Sequence, residues 1–101
     1  MSFVTITEYR SVMIGDGARA WLVPEEPPLA EQTVAIGMES EVSEIFNDKT
    51  RLIRIQTWGK CSITIGEEPV ANAGSGGFSA GQTEYRGIPC RGMRLAVILV
   101  P

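Results

Sequence analysis

The 101-residue chain contains no histidine, and this absence removes more chemistry than any other. Without imidazole, a serine or cysteine nucleophile has no standard base beside it. A cupin-type metal site loses its commonest ligand for the same reason. Cysteine is nearly absent too. Cys61 and Cys90 are too few for a structural zinc site or a disulfide framework, and free thiols suit a reducing compartment. Long apolar runs are missing. The longest, Leu95 to Val100, is too short to cross a bilayer as a helix, and Met1-Ser2-Phe3-Val4 lacks the basic start and apolar run of a signal peptide. Positive charge is scarce, with nine Lys and Arg against twelve Asp and Glu and a net charge of −3. A nucleic-acid partner needs a basic face, so none is expected, and Arg86, Arg91 and Arg94 read as solvated arginines flanking a strand.

The acidic residues do not make up for these gaps. Glu67 and Glu68 are adjacent on a turn and do not form a carboxylate pair across a cleft. Glu39, Glu41 and Glu44 lack an oxygen-ligand loop pattern and read as a solvated acidic face. Gly74, Gly76 and Gly77 suggest a phosphate loop, but Phe78-Ser79-Ala80 follows them instead of Lys-Ser/Thr and a helix. The expectation is a protein that is not an enzyme, with no catalytic residues, metal site or cofactor, and with neither nucleic acid nor membrane as partner.

What the chain does contain is period-two alternation broken by turns. Eleven glycines and six prolines punctuate it, and 44% of its residues are hydrophobic, enough for one core in a single domain over residues 1–101. The clearest stretch is Thr50 to Gly66. Ile53, Ile55 and Thr57 alternate with Arg54, Gln56 and Trp58. After Gly59-Lys60, Cys61, Ile63 and Ile65 alternate with Ser62 and Thr64. This predicts two strands folded back on each other as an antiparallel pair. Phe3 to Tyr9 is a first strand. Residues 11–14 continue it to Gly15-Asp16-Gly17, where Asp-Gly marks a tight turn, and Arg19 to Val23 returns with Trp21 and Val23 on one face. The proline-rich segment 24–32 reads as a connecting loop or a rigid arm across a neighbouring subunit. Leu29 to Gly37 is a strand with Val34 and Ile36 inward. Residues 39–46 fit a strand or a helix and are taken as strand. Residues 67–81 form a long Gly-rich loop, Gln82 to Ile88 a further strand, and Met93 to Val100 the last. Seven to eight short strands predict an all-β fold: a small antiparallel β-sandwich, jelly-roll-like.

Binding surfaces follow from parity. Arg54, Gln56 and Trp58 share the face opposite Ile53 and Ile55, so they form a candidate docking surface rich in the residue types that interfaces favour. The final strand is apolar on both faces, so Ile98 and Val100 either sit centrally in a sandwich or lie under another subunit. Pro27 and Pro28 in the proline-rich segment and Phe78 in the Gly-rich loop complete the interface candidates. Trp21, Trp58 and Tyr85 also leave a sugar platform open, as in a carbohydrate-binding β-sandwich module.

The residues from Thr33 to Val100 carry a resemblance. Phe46 precedes Thr50-Arg51-Leu52-Ile53-Arg54-Ile55, followed by Cys61-Ser62-Ile63-Thr64-Ile65-Gly66-Glu67-Glu68-Pro69-Val70-Ala71. Then come Gly81-Gln82-Thr83-Glu84-Tyr85-Arg86-Gly87-Ile88 and Met93-Arg94-Leu95-Ala96-Val97-Ile98. This resembles small virion structural proteins of tailed phages and prophages, over about two-thirds of the chain. The shared motifs are packing and turn motifs, and the N-terminal third departs from them. The resemblance implies a capsid decoration, or cement, protein. Such a protein is made in the host cytoplasm, binds the outer surface of the head, staples neighbouring major capsid proteins and is a homo-oligomer, dimeric or trimeric. It equally admits another virion part: a head fibre base, a neck protein or a tail protein.

Overall fold

A computed structural model describes residues 2–16, 19–74 and 76–100, with side chains for all of these except 11–16 and 19–22. The elements are β1 (Phe3–Asp16), β2 (Arg19–Ala35), β3 (Glu41–Val42), β4 (Leu52–Thr57), β5 (Cys61–Gly66), β6 (Gly77–Phe78), β7 (Thr83–Gly87) and β8 (Arg94–Leu99). They form two four-stranded antiparallel sheets, β2-β1-β4-β7 and β3-β8-β5-β6. The all-β sandwich expected from the alternation is therefore present. Only β1–β2 and β5–β6 connect neighbours in one sheet, and every other connection crosses to the opposite sheet, in the manner of a jelly roll.

The core lies between the sheets. Val4 and Ile6 on β1, Val34 on β2 and Ile53 and Ile55 on β4 meet Cys61 and Ile63 on β5 and Leu95 and Val97 on β8. Ile36, Phe46, Phe78 and Ile88 close its ends, and Ile65 packs partly buried against it.

One expectation is corrected here. β4 and β5 do not pair with each other. They belong to different sheets and face one another across the core. The corner Trp58-Gly59-Lys60 is an arch, not a hairpin turn. Gly59 is buried in that corner, where an added Cβ would stand 2.5 Å from Ser2. Such an approach leaves room for glycine alone.

The proline-rich segment is also corrected. Residues 24–32 are not a connecting loop but part of β2. The ladder runs from Phe3↔Ala35 to Glu8↔Ala30 and resumes at Arg10↔Glu25. One residue of β1 thus faces four of β2, Glu26 to Leu29, across a wide bulge. Pro27 and Pro28 stand in the bulge, where no ladder donor is required. Pro24 is tolerated because β2 is an edge strand. The Glu26–Pro27 peptide bond is cis. The tight turn expected at Gly17 falls outside the described residues, and on either side of it Asp16 pairs with Arg19.

Two smaller differences follow. Of residues 39–46 only Glu41–Val42 is strand, and none is helical. The Gly-rich segment 67–81 contains β6, which brings Phe78 to 4% exposure inside the core. Phe78 is therefore not a surface residue: it is the one large apolar side chain in a stretch of small ones, and burial claims it. The rest of that loop turns back on the second sheet. The Ala71 amide donates to Ser40 Oγ at 2.9 Å and the Gly76 amide to Ser62 Oγ at 2.9 Å. Ala96 and Ser62 share the outward parity of their strands, yet both are fully buried. β8, central in its sheet, is thus apolar on both sides because its own chain contributes part of the cover.

Both cysteines are free, Cys61 buried and Cys90 exposed. Burial pushes the Cys61 thiol from 9.0 up to about 11. A thiol reagent at pH 8 is expected to modify one cysteine in the native protein and two in denaturant; modification of both at equal rates in the native protein would contradict the burial. The same shift has a consequence for stability. The unfolded chain ionises Cys61 near 9, before the folded protein does. Its contribution is full below pH 9 and is lost as pH rises towards 11, so the urea midpoint should fall across that interval.

Candidate functional site

The outer face of the first sheet is built in rows by the register of β1, β4 and β7. Phe3 and Trp58 form the first row, Thr5, Gln56 and Thr83 the second, and Thr7, Arg54 and Tyr85 the third. Tyr9 and Leu52 form the fourth. The period of two that buries Ile53 and Ile55 sends every one of these side chains the other way.

At one end Trp58 is anchored on three sides. Its backbone amide donates to Phe3 O at 2.9 Å, and its Nε1–H to Thr5 Oγ1 at 3.2 Å. Its ring meets the Phe3 ring at 6.0 Å and a tilt of 40°. Trp58 is nevertheless 51% exposed and Phe3 37%. A tilted aromatic pair held this firmly presents apolar area at little entropic cost on docking.

At the other end Arg54 lies over the Tyr9 ring, 6.0 Å from its centroid, and donates through Nη2 to Thr7 Oγ1 at 3.4 Å. Thr7 in turn donates to Glu31 Oε2 at 3.1 Å. Arg54 Nε is buried and has no hydrogen-bond partner. Tyr9 points to this outer side yet is 2% exposed. Its phenol is raised above its ordinary pKa by burial first, opposed by Arg54 and reinforced by the nearby Glu26 carboxylate. Glu26, in the β2 bulge, therefore lies close to this end of the face. Pro27 and Pro28 remain exposed there, lining a shallow groove of about 320 Å³ with Arg10, Glu25 and Leu29.

The candidates thus separate. Trp58, Gln56, Arg54, Pro27 and Pro28 belong to one side of the molecule. Ile98 pairs with Ser62 in the second sheet and is half-buried, and Val100, also half-buried, donates its amide to Lys60 O at 3.3 Å. Trp58 and Tyr85 stand two rows apart, about 13 Å along the strand, and the Trp21 side chain lies outside the described residues.

Parity alone did not mark two further openings. A cleft of about 360 Å³ lies between the sheets at the β6–β7 edge, because β6 pairs with only two residues of β5. Ile55, Ile63, Ile65 and Phe78 line it, and Arg86, paired with Glu84 at 2.7 Å, stands beside them. The second opening, of about 620 Å³, joins Val42, Ile45 and Val70, all exposed, to Glu67, Glu68 and Arg94. Among the described residues no three Cys, Asp or Glu side chains gather as a metal-holding group.

Compared with protein-family models, with curated proteins and with solved structures, the chain matches none.

Proposed function

We propose that this chain is a virion structural protein that acts by docking: a decoration protein on the outer surface of a tailed-phage head, stabilising neighbouring major capsid proteins. One observation supports docking above all. The Phe3–Trp58 pair is fixed in place and half exposed, on a face where Arg54 keeps a buried, unpartnered donor. Tryptophan and arginine held in place by their neighbours are enriched among binding hot spots. The assembly is named by the sequence resemblance. Repetition of the site over a lattice then raises avidity without new contacts.

Purified particles test the reading by copy number and imaging. The expected result is a number of copies comparable to that of the major capsid protein, with density outside the shell. Few copies at one vertex would make the chain a neck, tail or fibre-base component. Absence from particles would remove the virion role.

The variant Trp58→Ala should lower occupancy on isolated heads more than tenfold, as for a hot-spot tryptophan, and its urea midpoint should fall only by the loss of the Phe3 ring contact and the Thr5 hydrogen bond, leaving the domain folded. Unchanged occupancy would place the docking surface elsewhere.

A further inference from the structure

The second sheet has an outer face of its own, and β8 runs through its middle. Val42 on β3 pairs with Ala96 on β8, and Arg94 stands two residues before Ala96 on the same face. Opposite Arg94 on β5 is Gly66, where an added Cβ would meet nothing within 4 Å. The missing side chain leaves a trough over the start of β8. Val42 and Ile45 wall it on one side and Glu67 to Val70 on the other, around the opening of about 620 Å³.

Two features set this groove apart from ordinary surface. Its apolar walls are bare: Val70 is 73% exposed, Ile45 51% and Val42 47%. Exposed apolar residues gathered on one opening mark an interaction site, whereas scattered ones need no explanation. Arg94 is the second feature. Its Nε is buried without a hydrogen-bond partner, and its guanidinium forms no ion pair among the described residues, although Glu67 and Glu68 line the same groove. A buried donor that lacks an acceptor costs stability. The groove thus offers an unused cationic fork, an apolar middle and a pair of carboxylates.

We propose that this groove binds an extended peptide segment of a partner protein. The segment carries two aliphatic residues, with a carboxylate on one side of them and a lysine or arginine on the other. The carboxylate takes the planar donors of Arg94. The aliphatic pair covers Val42, Ile45 and Val70. The basic residue lies against Glu67 and Glu68, which would repel a second anion. A small molecule fits less well, because such ligands are buried over roughly 70–90% of their surface and walls this exposed do not enclose one. A peptide of this length buries less than about 1,200 Å², the range of weak and transient complexes, so the affinity is micromolar at best.

A random library of blocked heptapeptides on beads tests this against the full chain. Sequences with a carboxylate and a base on either side of two aliphatic residues should be enriched. In solution the best of them should shift the amide resonances of Val42, Ile45, Val70 and Arg94 to saturation. Arg94→Met keeps the apolar stem and removes the donors. It should weaken binding about tenfold or more, while its urea midpoint equals the parent's or exceeds it, because no bond is lost and an unpaired donor is gone. Glu67→Gln with Glu68→Gln should weaken the same peptide at least about threefold, with a smaller effect at high salt. No enriched pattern, or binding that survives Arg94→Met, would overturn the proposal. A lower midpoint for Arg94→Met would overturn it too, by making Arg94 a structural residue. Octanoate offers a carboxylate and an apolar chain without a backbone or a base. Octanoate bound as tightly as the peptide would make the groove a site for anionic amphiphiles and overturn the peptide assignment. The inference does not rest on the docking role: the groove belongs to the other sheet, and Trp58→Ala should leave peptide binding unchanged.

Discussion

Cutting the chain before Met93 is expected to leave no folded domain. β8 is central in its sheet, paired with β5 over six positions and with β3 over two. β6 meets only Cys61 and Ser62, so β5 would lose its one full-length partner and β3 its only one. Loop tethers go with the strand: the Ser43 amide donates to Leu95 O at 2.7 Å, the Phe46 amide to Met93 O at 2.9 Å, and the Leu95 amide to Ser43 Oγ at 2.9 Å. Leu95 and Val97 are fully buried. Each large aliphatic side chain taken from the core removes about 1.5–3 kcal/mol of burial, and the side chains they cover are exposed in turn. With unpaired backbone added, the loss exceeds the roughly 5–15 kcal/mol by which a domain is stable. Circular dichroism and calorimetry should show no cooperative transition in the truncated chain. A cooperative melt would mean that β8 is peripheral. Leu95→Ala, in contrast, should fold and lose about 3 kcal/mol.

How much of this was legible in the sequence differs by residue. Alternation placed Ile53, Ile55, Cys61 and Ile63 inward and Arg54, Gln56 and Trp58 outward, because facing is a property of each strand alone. It could not tell a hairpin from an arch. Both put one side of β4 and one side of β5 into the same core, and only the choice of hydrogen-bond partner differs. The prolines misled because they were weighed as breakers of a ladder. An edge strand with a wide bulge has positions where the missing donor costs nothing. Phe78 was hidden by its glycine neighbours. Its signal was that a buried side chain is needed somewhere in a stretch otherwise too small to supply one. The outer-face tether of Trp58 to Thr5 joins residues far apart in the chain and leaves no local pattern.

Glu8 stands in phase with Val4 and Ile6 on the core side of β1, and its replacement by alanine carries the second large expected effect. The side chain is 2% exposed. Its Oε1 accepts from the Asn47 amide at 2.7 Å and from Thr50 Oγ1 at 2.8 Å, and its Oε2 from Gln32 Nε2 at 3.4 Å. These bonds clamp the turn at 47–50, where the Thr50 amide also bonds Asn47 O at 2.9 Å, just before the chain enters β4. Thr50 is fully buried, so in Glu8→Ala its hydroxyl is stranded, and the Asn47 amide loses its acceptor. An abandoned buried donor costs about 1–3 kcal/mol, so Glu8→Ala should lose about 3–5 kcal/mol, a drop of roughly 15–30 °C in Tm. Glu8→Gln separates this clamp from mere volume. Its amide oxygen can take both Oε1 contacts, but its NH2 would face the Gln32 NH2. Gln32 cannot turn to accommodate it, because Gln32 Oε1 accepts from the Glu44 amide at 2.8 Å and Nε2 donates to Glu44 O at 3.3 Å. One unfavourable contact against three lost bonds places Glu8→Gln at about 1–2 kcal/mol. Urea denaturation should therefore order the midpoints parent, Glu8→Gln, Glu8→Ala, with the wider gap at the second step. Equal midpoints for the two variants would show that the hydrogen bonds at Oε1 do not hold the turn.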